Sequence, residues 1–171
     1  MRPSIISVAL LASALAACAE RLPTSPTMTS SSGTVGLERS GALRPLKGSC
    51  TTTFSAPPFP LPPILHQIDT GTCNLTHLGL TDFYGELDIN FAAGTQSGWR
   101  RLTAANGDEL HLTVAGTNAG VVGGLVSINA QLTIVGGTGR FAGAIGSARA
   151  TGVATLATRS TSITVDGWVN Y

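Results

Sequence analysis

The residues able to do chemistry are few and scattered. Asp82, Glu86 and Asp88 share one parity of a single stretch, with Tyr84 between them. Carboxylates held side by side raise one another's pKa and suit acid–base work. The opposite parity carries Phe83, Leu87, Ile89 and Phe91. If that apolar face is the core, the acids point into water, the default for charge. His66, His77 and His111 show no ligand spacing of the H-E-x-x-H kind, so no metal site is expected. His77 can serve as a base, but nothing in its surroundings orients it, and a hydrogen bond near a turn is the plainer role. Arg140 can clamp a carboxylate with two parallel bonds, whereas such an arginine more often stacks on a turn or faces solvent. Arg149 comes after it on the same side of a glycine-rich corner. His77 and Glu86 remain as catalytic candidates, and no catalytic set assembles around either.

Gly137-Thr-Gly-Arg-Phe-Ala142 fits the dinucleotide pattern G-x-G-x-x-G/A. That motif works through a helix whose first amides hold a pyrophosphate. The next residues here are Ala144-Ile-Gly-Ser-Ala-Arg-Ala-Thr-Gly-Val-Ala-Thr155, broken by glycines and alternating in polarity. That composition is a strand's. No acidic residue stands about 20 positions on to hold a ribose; the next is Asp166. No nucleotide cofactor is therefore expected, nor any other.

The elements that carry these residues read as strands. Val126, Ile128, Ala130, Leu132 and Ile134 alternate with Ser127, Asn129, Gln131 and Thr133, the mark of a half-buried strand. Gly136, Gly137 and Gly139 then allow a sharp corner, and Phe141 is placed to fold back over the apolar face. Thr81 to Phe91 is the clearest two-faced strand. Asn106-Gly107, between Trp99–Ala104 and Glu109–Gly116, predicts a type I′ hairpin. Ser49–Ser55 reads as the first strand. Ala56–Pro63 holds five prolines among eight residues and reads as a stiff connector. Ile64–Thr76 is extended, with Gly71 a candidate bulge. Leu125–Val135 and Ile145–Ala157 flank the corner, and Thr161–Tyr171 ends the chain with Ile163, Val165, Val169 and Tyr171 on one side. The pattern predicts an all-β chain: a single antiparallel closed barrel of about eight strands. A barrel of that size is filled by side chains or holds one small ligand.

The corner also carries a family likeness. Val135-Gly-Gly-Thr-Gly-Arg-Phe-Ala-Gly-Ala-Ile-Gly146 resembles the GGTG-x-F…A-x-G segment of dirigent proteins and its counterpart in allene oxide cyclases. Cys73-Asn-Leu-Thr-His-Leu-Gly79 and Ala104-Ala-Asn-Gly-Asp-Glu-Leu110 resemble bacterial relatives of those barrels. The pieces span roughly residues 48 to 171. The resemblance implies an allene oxide cyclase-like, broadly calycin-like barrel. In those families polar and acidic residues inside the barrel steer catalysis. Outside the glycine segment none of those positions carries over residue by residue.

At the other end, Arg2, an apolar run from Ile5 to Ala14, and Leu15-Ala-Ala-Cys18 resemble a bacterial lipoprotein signal with its lipobox. The likeness implies cleavage before Cys18 and a diacylglycerol on its sulfur. Residues 1–17 are then the signal peptide and 18–47 a lipid-anchored tether rich in Ser, Thr, Pro and Gly, with a coil size on the order of 30 Å. The barrel domain is expected over 48–171. Ala19 after the cysteine leans towards the outer membrane, periplasmic side, in a didermic source. Cys50 and Cys73 remain, and two cysteines in an exported chain either pair or stay as buried thiols.

Composition narrows the partners. Charged residues make up 11% of the 171, and without Arg2 the chain has 9 basic and 9 acidic residues. A net charge near zero gives no handle on nucleic acid. The expected function is an exported, lipid-anchored barrel that binds a small apolar molecule or packs solid, without catalysis. A cyclase, isomerase or dirigent-like enzyme working in the lumen is the alternative. A small outer-membrane barrel is the second, suggested by the aromatic Tyr171 closing an alternating strand.

Overall fold

The computed structural model describes residues 42–58 and 60–171. Cys18, the signal segment and most of the tether lie outside them. Eight strands run in order: β1 (Arg44–Phe54), β2 (Ile64–Leu75), β3 (Gly79–Asn90), β4 (Thr95–Ala104), β5 (Glu109–Asn118), β6 (Leu125–Gly137), β7 (Ile145–Thr155) and β8 (Ser160–Asn170). Each pairs antiparallel with the next, and β8 closes onto β1. The all-β closed barrel expected from alternation is the fold.

β1 starts at Arg44, ahead of the expected boundary at Gly48. The cause is local. The alternation runs back through Leu46, which is fully buried, and Lys47 pairs with Asp166 of β8 at 3.0 Å. On β3 the inward residues are Thr81, Phe83, Leu87 and Ile89, as the parity required.

Two local expectations change. At Gly71 the ladder is regular on both sides, facing Thr52 and Phe83. A Cβ there would meet the Thr51 carbonyl oxygen, so the glycine serves close strand approach and makes no bulge. The register shift lies instead on β6, where Val135 is the extra residue between Ile134, facing Leu112, and Gly136, facing His111. The Asn106-Gly107 turn is not type I′, because only Gly107 has positive φ, +86°. The Gly107 amide donates to the Ala104 carbonyl at 2.8 Å, and the Ala104 amide to the Asp108 carbonyl at 2.9 Å. That is a type I turn followed by a left-handed glycine, the three-residue alternative.

The glycine corner holds one turn of 3-10 helix, Gly139–Phe141, and then passes into β7. No longer helix succeeds the G-x-G-x-x-A match, so the corner lacks the amide cradle that a pyrophosphate needs. Phe141 is fully buried and packs edge-on against Tyr171, with ring centroids 4.8 Å apart. It closes the end of the barrel where β1 begins. The opposite end is ringed by the described residues of the connector, 55–58 and 60–63, and by the 91–94, 119–124 and 156–159 loops, and forms the mouth.

Cys50 and Cys73 face each other across β1 and β2 inside the barrel and are joined by a disulfide. The closed segment runs 24 residues counting both ends. Replacing both cysteines by alanine is expected to lower unfolding stability by about 3 kcal/mol. Equilibrium denaturation of the double variant checks this, and the wild type with reductant should fall by a similar amount.

Candidate functional site

The lower part of the lumen is apolar and packed. Below the mouth the inward positions change character. Gln67 and Asp69 come from β2, Gln96 and Arg100 from β4, Thr52 from β1 and Thr161 from β8, all buried. Asp69 is 2% exposed and Arg100 3%. Charged side chains are almost never this buried unless paired.

The backbone register explains how they meet. Asp69 pairs with Gly85, and Gly85 with Arg100. Asp69 and Arg100 are thus two strands apart with a glycine between them. A Cβ at Gly85 would come within 2.9 Å of the Arg100 Cγ. The missing side chain is what lets the arginine stem lie across β3. Its guanidinium then sits 5.2 Å from the centre of the Phe83 ring, and Nη2 lies 3.9 Å from Asp69 Oδ2. Gln67 Nε2 donates to Asp69 Oδ1 at 2.5 Å.

This ion pair is loose, well beyond the 2.7–2.9 Å of a charge-assisted hydrogen bond. Burial raises the Asp69 carboxyl above its ordinary 3.8; Arg100 and then Gln67 pull it part of the way back. Burial lowers the Arg100 pKa, and Asp69 offsets part of that shift. Four buried polar atoms of this layer have no hydrogen-bond partner among the described residues: Arg100 Nε, Gln96 Nε2, Thr52 Oγ1 and Thr161 Oγ1. Unpaired buried donors are costly, at roughly 1–3 kcal/mol each.

Arg100, Asp69, Gln67, Gln96 and Thr161 line a cavity of about 30 Å³, enough for about two water molecules. Above it, at the mouth, lies a hollow of about 560 Å³ walled by Phe54, Pro57, Leu61, Val121, Leu156 and neighbouring atoms. That volume is within the range of small-ligand sites. Phe54, Ala56, Leu61 and Leu156 line both spaces, which adjoin there.

The residues singled out from the sequence do not gather here. Glu86 faces outward and accepts a hydrogen bond from the Tyr84 hydroxyl at 2.8 Å, which raises the tyrosine pKa. Asp82 and Asp88 are exposed on the same wall, with His66 Nδ1 2.9 Å from Asp88. His77 lies exposed in the β2–β3 turn at the closed end, with φ +64°. His111 contacts Glu109 at 3.0 Å. Gly136, Gly137, Gly139, Arg140 and Phe141 build the closed end, where Arg140 stacks on Phe141 at 4.6 Å. Arg149 donates to Asn129 on the outside. Among the described residues no group of three His, Cys, Asp or Glu is placed to hold a metal.

Asp69 and Arg100 escaped sequence reasoning, although a signal existed. Gln67 and Asp69 share the parity of Leu65, Cys73 and Leu75, and Arg100 shares that of Leu102 and Ala104. Polar residues on a core parity mark a lumen site. The chain matches no protein-family model, no curated protein and no solved structure.

Arg100→Met should cost roughly 3 kcal/mol of stability, because it strands the Asp69 carboxyl, and Asp69→Leu/Arg100→Met should cost less than that single change. Since the folded carboxyl titrates above the unfolded one, its favourable contribution is complete below about pH 3.8 and is lost as pH rises through the higher folded value. Asp69→Asn should therefore gain stability relative to wild type as pH climbs from about 4. Denaturant melts across pH check both statements.

Proposed function

We propose that this chain is an exported barrel, anchored in the cell envelope by lipid on Cys18, that binds a small, mostly apolar molecule through its open mouth. The observation that carries the reading is the hollow of about 560 Å³ above a lumen otherwise filled by side chains. Its walls are largely aliphatic and aromatic, with Arg159 among them, and the polar layer of Arg100, Asp69 and Gln96 lines the smaller space that adjoins it below. Apolar pockets with a few convergent polar groups are how proteins hold small ligands. The wall of the barrel supports water as its medium. Lys47, Asp82, Asp88, Arg149 and Asp166 project outward around it, where a membrane-spanning barrel carries an apolar band.

A second reading is favoured by one observation, the buried ionisable pair facing the lumen. The likeness to dirigent proteins and allene oxide cyclases supports it, because those barrels steer catalysis with polar groups inside. On that reading the chain is a cyclase or isomerase acting on the same ligand, with Asp69 holding or accepting a proton. Turnover that survives Asp69→Asn unchanged would rule this out.

The dye N-phenyl-1-naphthylamine should brighten on binding the mouth, and Leu156→Arg should weaken that binding by about tenfold or more, since it places a charge in an apolar wall. Fluorescence titration of the two proteins decides it. The anchor has its own test. Metabolic labelling with a radioactive fatty acid should mark the wild-type chain, and Cys18→Ala should abolish the label.

A further inference from the structure

We propose that the floor of the mouth recognises a neutral oxygen acceptor on the ligand, of the size of a carbonyl, and discriminates against a carboxylate. The inference rests on the binding role proposed for the mouth and names the chemistry that the site takes.

Three observations lead to it. The first is the balance of unused bonding capacity. Asp69 Oδ1 already accepts from Gln67, and Oδ2 faces Arg100. The nitrogens left over are donors, Arg100 Nε and Gln96 Nε2, on side chains only 3% and 4% exposed. A guanidinium has no acceptor, and an amide nitrogen only donates. A ligand that satisfies them must bring lone pairs. The Thr161 hydroxyl, also unpaired and lining the same cavity, can add a third bond of either sense.

The second is charge. The positive charge of Arg100 is countered by Asp69 across 3.9 Å. A ligand carboxylate would set a second anion beside the first in a buried place, and like charges there disfavour each other's ionised form. A neutral acceptor meets the same donors without that cost.

The third is size. The cavity lined by Arg100, Gln96 and Thr161, and by apolar neighbours such as Leu65, Leu87 and Val126, is about 30 Å³. It takes an oxygen and the carbon that bears it, at the scale of about two waters. A phosphate or sugar head is too large for it. The apolar body of the ligand stays above in the larger hollow, and Leu61 of the proline connector lines both spaces.

The test uses the full chain with Cys18→Ala, which keeps it in water, loaded with N-phenyl-1-naphthylamine. The competitors are 2-octanone, octanoate at neutral pH, and octane. The expected result is displacement by 2-octanone at about tenfold lower concentration than by octane, the worth of one neutral hydrogen bond, with octanoate weaker than the ketone. Gln96→Leu removes an unpaired donor, so it should fold at least as well as wild type and lose the preference of ketone over octane. Two results would overturn the inference: octanoate competing as well as the ketone, or the ketone preference surviving in Gln96→Leu. If the dye binds at the mouth and no competitor shows a preference, the floor holds water only and the inference fails while the binding reading stands. A chain that binds neither dye nor competitor overturns both.

Discussion

Closure decides everything else in this molecule. A strand at the edge of a sheet leaves every second amide and carbonyl without a partner, and only a ring of strands has no edge. With β8 paired to β1 along ten residue pairs, from Arg44–Val169 to Thr53–Ser160, the ring is complete. Once it is closed, each strand has only an inside and an outside, and a residue's parity settles which it faces. The apolar parity fills the interior with Leu46, Phe83, Leu102, Leu110, Ile163 and Val169. Whatever chemistry the chain has inside must then come from polar residues placed on the same parity, where their burial is compulsory.

The Asp69–Arg100 pair shows what that compulsion costs and how the fold accommodates it. An arginine side chain is too long to stand upright in a lumen crowded by eight strands. Gly85 removes the obstacle in its path, and Phe83, two residues away, supplies a ring face for the guanidinium. The resulting pair is not a stabilising clasp. At 3.9 Å it recovers only part of what desolvating two charges takes away. Stability must come from elsewhere, and it does: the apolar lower lumen, the Cys50–Cys73 bond and the Phe141 plug all lie on the far side of the polar layer from the mouth. The molecule is thus divided along its axis into a packed end that holds the barrel together and an open end with unsatisfied polar groups.

The architecture was legible in the sequence because alternation is a local signal. Thr81 to Phe91 and Val126 to Ile134 announce their faces without reference to any other segment, and glycines and prolines mark the turns. The lumen site was not legible, for an equally physical reason. Asp69 and Arg100 lie far apart in sequence, and they are neighbours only through the register that sets both opposite Gly85. No window of residues contains that fact. Clustered charge misled in the opposite way. Asp82, Glu86 and Asp88 look like a site because they are close in sequence, yet proximity on one parity of a strand also describes a solvated wall, and that is where they lie. The glycine corner carried the family likeness and proved to be the closed end, remote from the mouth.

The same division bears on which end of the barrel can vary in chemistry. At the closed end, altered side chains press on a packed core: Phe141 has no exposure, and Gly137 lies where a Cβ would strike the Glu109 carbonyl oxygen. Substitution there is paid in folding. At the mouth, described residues of the connector such as Ala56 and Leu61 reach the core while Val121 and Val122 of the 119–124 loop stand exposed, so rim residues can change with little effect on the ring beneath. A barrel built this way can keep its fold while its rim and its polar floor are altered to suit different molecules. The glycine corner that resembles other barrels and the polar layer beneath the mouth then lie at opposite ends, so a likeness in the corner says little about the chemistry at the mouth.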